Sequence, residues 1–172
     1  EEPAVERAEG DAAPNAVWFK PVMIGFMLGA IVWFEAYIQT FNPAGGWPIL
    51  KDLAAWHFID ELLGLGTTLG ILALIIVRQT NLGKERLSRF YGSNAKAAYF
   101  VEAVVLIEGL GMIFVKTFKI SSGIEDPPIW TSFFTHYFAQ LFEGSSVYWV
   151  TAAAVVKLMS GMIWLAVVGA NI

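Results

Sequence analysis

The chain reads as an all-α polytopic membrane bundle of four spanning helices with one further helix at an outer interface. Three observations predict this. Hydrophobic residues make up 56% of the 172 and charged residues only 15%, which is too apolar for a water-soluble domain of this size. The apolar residues gather into runs long enough to cross about 30 Å of hydrocarbon at about 1.5 Å per residue. Turn residues or charges close each run, as the ends of spans require.

Residues 1 to 16, "EEPAVERAEGDAAPNA", are acidic, rich in Ala and Pro and without apolar periodicity, so they read as a disordered tail ahead of one transmembrane domain over 17–172. The first span is Val17 to Phe41, with Trp18, Trp33 and Tyr37 suited to interfacial levels. "NPAGGWP" stops it and opens a connection reaching to about Ala54. The second span runs from His57 to Val77 and is closed by Arg78. The third is Ala97 to Phe118 and the fourth Val147 to Val168. Between the last two lies an aromatic segment, Ile129 to Phe142. It is too short to cross unaided and so reads as a helix at the outer interface.

Charge orients the bundle. The segment 78–96, "RQTNLGKERLSRFYGSNAK", carries five positive charges against one negative and reads as cytoplasmic, in an inner (plasma) membrane. Four crossings then place both termini in the cytoplasm, and the only two histidines, His57 and His136, fall together on the outer side. The first residue is Glu rather than Met, so the chain reads as processed or as part of a longer one. Removal of a signal peptide would put the N-terminus outside, against the charge rule. "GFMLG" (Gly25 to Gly29) and "GTTLG" (Gly66 to Gly70) are GxxxG patterns that read as packing seams, within the bundle or toward a partner subunit.

Composition also excludes chemistry. A net charge of −4 without clustered cations argues against a nucleic-acid partner. The absence of cysteine removes disulfides, thiolate zinc and cysteine-ligated iron–sulfur clusters, so a metal or haem would be held by His, carboxylate or Met. No Ser/His/Asp triad, phosphate loop or glycosidase pair stands out. What remains is polar groups where they are costly. "AWHFIDE" (Ala55 to Glu61) places His57, Asp60 and Glu61 at the mouth of the second span, with Glu35 toward the same end of the first.

Two readings of that cluster stand side by side. In one, His57, Asp60 and Glu61 solvate a helix start, with carboxylates favoured by the macrodipole. In the other, His57 and His136 are axial ligands of one b-type haem, with Glu35, Asp60 and Glu61 carrying quinone protons. Glu102, Glu108 and Lys157 also interrupt apolar helices. They read as inter-helix salt bridges or hydrogen bonds, or as parts of a proton path to a quinone. Glu108 and Lys116 share a face of the third span, although other helices could supply their partners.

The runs "GFMLGAIVWFEAYIQTFNPAGGWPI" and "IIVRQTNLGKERLSRFYGSNAKAAYFVEAV" resemble a known family over roughly residues 22 to 120. They look like the membrane part of (Fe–S)-binding oxidoreductases related to heterodisulfide reductase and to dehydrogenases that take electrons from electron-transfer flavoprotein. That part is similar to the gamma subunit of respiratory nitrate reductase. The resemblance implies a membrane electron-transfer subunit working between a quinone and an iron–sulfur or haem partner. The cysteine-bearing iron–sulfur module would be a separate subunit or a continuation of the chain. The competing classes are a subunit of a membrane metal-dependent monooxygenase, with copper or iron on these same residues, and a cofactor-free scaffold subunit.

Overall fold

The computed structural model describes residues 4–80 and 95–170. The architecture is all-α, with no strand among the described residues. The helices are α1 (Ala4–Phe41), α2 (Ala54–Gln79), α3 (Ala95–Ser121), α4 (Thr135–Gln140) and α5 (Tyr148–Ala170), with 3-10 turns at Leu50–Asp52 and Ile129–Thr131. Four helices are long and apolar enough to cross a membrane: Met23–Phe41 within α1, Ala54–Gln79, Lys96–Ser121 and Tyr148–Ala170. Their ends fall within a few residues of the expected spans, except that α1 begins at Ala4, inside the acidic segment. Most of the basic segment, residues 81–94, lies outside the described residues.

The chain divides into two compact units, residues 1–31 and 32–172. In the second, α3 is the central helix and packs against α2, α4 and α5. Missing side chains let these backbones approach, as membrane helices require when lipid supplies no hydrophobic drive. Gly64 of α2 lies against Met112 and Ile113, Gly109 of α3 against Thr67 and Thr68, and Gly161 of α5 against the Trp33 indole. Gly25, Gly29, Gly66 and Gly70 have nothing within 4 Å of where a Cβ would stand. Within the 32–172 unit, Gly66 and Gly70 are therefore not at a seam, and the close approaches use Gly64, Gly109 and Gly161 instead. Large apolar side chains such as Leu69, Leu74, Ile76 and Ile163 are exposed on the spans, as a lipid-facing surface demands.

The interfacial segment differs from the continuous helix expected over Ile129 to Phe142. A 3-10 turn at Ile129–Thr131 is followed by a break and by the six-residue α4. The break has a cause: the N–H groups of Phe134 and Thr135, orphans at the start of a helix, donate to Glu61 of α2 instead of continuing a helix backwards. Phe138 packs tilted against Phe114, and Phe142 packs edge-on against Phe114 and Phe118, which holds the end of this segment on the last turns of α3. Below it, Val115, Val150 and Ala154 form a buried cluster joining α3 to α5. At the opposite end, Arg78 Nε donates to Glu102 Oε1 at 2.6 Å and its guanidinium lies over the Tyr99 ring.

Candidate functional site

Ionisable side chains converge at the end of the bundle where α1 finishes, α2 begins and α3 finishes. Helical spacing aligns them: Glu35 with Gln39, His57 with Asp60 and Glu61, and Lys116 with Lys119 each share one face of their helix. Glu35, Gln39, Glu61, Lys116 and Lys119 are all buried. Charges out of water need partners, and the partners found here separate the cluster into two parts.

The first part is a closed ion pair. Lys116 Nζ lies 3.0 Å from Glu61 Oε2. Glu61 Oε1 also accepts the N–H groups of Phe134 and Thr135, both at 2.8 Å, and Oε2 accepts Thr135 Oγ1 at 2.6 Å. Lys116 Nζ donates in addition to the carbonyls of His57 at 2.6 Å and Thr131 at 3.0 Å. Every contact is charge-assisted. Glu61 therefore joins α2 to α3 and to the 129–142 segment.

The second part is open. A cavity lies beside the joint, lined by Glu35, His57, Asp60, Lys119 and Glu125 and also by Lys116, so the lysine of the joint borders it as well. About 20 Å³ of it is open to the centre of a water molecule, against the roughly 10–15 Å³ that one water needs. Lys119 Nζ donates to Glu125 Oε1 at 2.6 Å, and His57 Nδ1 stands 3.9 Å from Glu125 Oε2. Trp56 Nε1 donates to Glu35 Oε2 at 3.5 Å. The 42–53 connection lies over Glu35: a Cβ on Gly46 would meet Glu35 Oε1 at 2.6 Å. Asp60 Oδ1 is buried and has no hydrogen-bond partner. A buried unpaired carboxylate oxygen beside a water-sized polar space fits a water or a transferable proton.

The structure thus brings Glu35, His57 and Asp60 to one cavity, turns Glu61 to the neighbouring joint, and leaves His136 off the cavity wall. His136 sits on α4, its N–H donating to Ser132 O at 2.8 Å, its ring edge-on to Tyr137, and its Nδ1 buried without a partner. Among the described residues, no group of three or more His, Asp or Glu could hold a metal ion. The sequence reading did not single out Gln39, Lys119 or Glu125. Lys119 and Glu125, six residues apart around a helix end, are the pair that sequence spacing could have suggested.

No family model matches the chain, and no curated protein and no solved structure matches it.

Proposed function

We propose that this chain is the membrane subunit of an electron-transfer complex in an inner membrane, and that the cavity at the Glu35–Asp60 end handles the protons of quinone chemistry. One observation carries the reading. Two carboxylates from different spans, Glu35 and Asp60, share a water-sized polar cavity with His57 at the end of a membrane bundle, and an Asp60 oxygen there is unpaired. Reduction of a quinone takes up two electrons and two protons. The cavity is too small for a ring, so the quinone headgroup would dock at its mouth, with Asp60 and Glu35 exchanging protons behind it. Electrons would pass through an iron–sulfur partner, in line with the likeness of residues 22 to 120 to the membrane part of (Fe–S)-binding oxidoreductases.

The test is quinone turnover of the assembled complex. Asp60→Asn and Glu35→Gln should each lower it by about 10²-fold, the scale of a lost proton-transfer group, while the partner's own redox centres still reduce normally. Full turnover in both variants removes the reading and leaves a scaffold subunit. A reduced-minus-oxidised spectrum of the same preparation supplies the second arm. A b-type band lost in both His57→Ala and His136→Ala would restore a haem between them.

A further inference from the structure

The connection between the first two spans, residues 42–53, lies over one side of the cavity, and its sequence divides it into pivots and a stiff piece. "PAGGWP" sets two prolines and two glycines within residues 43–48. Pro48 fixes its own φ and restricts the residue before it, so Trp47 and Pro48 move together. Gly45 and Gly46 leave a pivot on one side of that piece. On the other side stands Ile49, with φ 74° and ψ −50°, the one non-glycine residue at positive φ among the described residues. A β-branched side chain is strained there, and such a conformation persists only where the surroundings impose it. Ile49 is 83% exposed, so packing of its own side chain does not impose it.

Close contact of the backbone does. Gly46 stands against Glu35 and Lys51: a Cβ on it would fall 2.6 Å from Glu35 Oε1 and 2.9 Å from Lys51 Cβ. Lys51 forms part of the cavity wall while remaining exposed, and Glu35 behind it is only 7% exposed. Little else fastens the connection. Its backbone hydrogen bonds are local, from Gly45 N–H to Asn42 O at 2.7 Å, from Lys51 N–H to Trp47 O at 3.1 Å and from Leu53 N–H to Leu50 O at 3.0 Å. Pro48, Ile49, Lys51, Asp52 and Leu53 are all exposed. Segments with local bonds and few buried contacts are the first to open.

We infer that residues 45–49 form a strap over the Glu35 side of the cavity, opening by rotation about Gly45–Gly46 and Ile49. Closed, it keeps bulk water from Glu35 and holds Ile49 in its strained conformation. Open, Ile49 returns to negative φ and Glu35 meets the aqueous phase. The strain narrows the gap between the two states. What passes the strap rests on the proposed function, which assigns it protons and a quinone headgroup. That the strap opens does not, and its test uses neither quinone nor partner.

The test is carboxylate labelling of the full chain in lipid with a water-soluble carbodiimide and an amine, read by peptide mass. Two variants should move Glu35 in opposite directions. Gly46→Ala puts a methyl where Glu35 and Lys51 already stand, so it lifts the strap and should label Glu35 about tenfold faster, the scale of an overpacked contact. Ile49→Gly relieves the strain of the closed state by more than glycine's own freedom favours the open one, and should slow Glu35 by about threefold or more. Glu61, buried in the closed joint, should stay unlabelled in both, and the half-exposed Glu125 should keep its rate. Circular dichroism reports whether Gly46→Ala folds; if it does not, Ile49→Gly decides alone. The strap is overturned if Glu35 labels in Ile49→Gly at the parent rate or faster. It is also overturned if a folded Gly46→Ala leaves Glu35 unchanged, or labels Glu61 as much as Glu35. The expected labelling with full quinone turnover in Asp60→Asn would keep the strap and remove the quinone reading; parent labelling with lost turnover would do the reverse.

Discussion

Lys116 and Glu61 meet 3.0 Å apart with side chains 3% and 0% exposed, and their joint carries the 129–142 segment as well as two helices. Glu61 takes the first free N–H groups of α4, while Lys116 takes the Thr131 carbonyl at the end of the preceding turn. Removing one partner leaves a buried charge without its counter-ion, which costs about 3–5 kcal/mol. Lys116→Met should lower stability by that amount in detergent unfolding. Glu61→Gln combined with Lys116→Met should cost less than the sum of the single variants. Amide hydrogen exchange at Thr135 should accelerate in Lys116→Met, because α4 loses its anchor. Additive losses with unchanged exchange would show that the joint is not a unit.

Glycines separate into two groups that one substitution distinguishes. A methyl on Gly161 would overlap the Trp33 indole, so Gly161→Ala must push α5 from α1 or displace a large ring. The expected loss is about 1–3 kcal/mol, the range of overpacking. Gly66 has nothing within 4 Å, so Gly66→Ala should leave stability unchanged or raise it by up to about 1 kcal/mol through helix propensity. Thermal unfolding of the two variants in one detergent makes the comparison. A loss in Gly66→Ala equal to that in Gly161→Ala would contradict the packing.

The cavity salt bridge should matter less than the closed joint. Lys119 pairs with Glu125 at 2.6 Å, but the Glu125 side chain is 20% exposed and water reaches one side. Glu125→Gln keeps an acceptor for Lys119 and removes the carboxylate nearest His57 Nδ1. It should cost about 1 kcal/mol, the upper end for a pair that water screens, well below the loss in Lys116→Met. A loss as large as that of Lys116→Met would mean that the cavity is as tightly closed as the joint.

The spans were legible because length and apolarity are local properties. The crossing of Ala54–Gln79 needs no knowledge of its neighbours. The convergence of Glu35, His57 and Asp60 was legible too, since helix count alone sends the end of the first span and the start of the second to one side. Pair identity was not. Glu61 and Asp60 are adjacent and chemically alike, yet one is locked in a four-contact joint and the other faces a cavity. The difference arises from Lys116 and from a segment more than seventy residues away in sequence. Which glycines serve as seams inside the 32–172 unit was hidden for the same reason. Gly66 and Gly70 match the pattern but have nothing within 4 Å of a Cβ, while Gly64, two residues before Gly66 and so on another face of α2, lies against Met112 and Ile113. Which face of a helix meets a partner is decided by tertiary contact, and a four-residue spacing does not encode it.

Topology gives the last prediction, and the chain is suited to it because it contains no cysteine of its own. Ile49, in the connection between α1 and α2, is 83% exposed, so a thiol placed there meets aqueous reagents. Ser88 lies in the sequence between α2 and α3, one span further along the chain. A single crossing by α2 puts the two positions on opposite sides of the membrane. The sign follows from charge: the segment 78–96 has five cations to one anion, whereas Asp52, Glu125, Asp126 and Glu143 outnumber Lys51 in the connections at the other end. Ile49→Cys should react with an impermeant maleimide from outside intact cells, and Ser88→Cys only after the membrane is opened. Reaction of both from one side would show that α2 does not cross. Labelling with the two sides exchanged would turn the bundle over and place the Glu35–Asp60 cavity on the cytoplasmic side, where it would exchange protons with the cytoplasm.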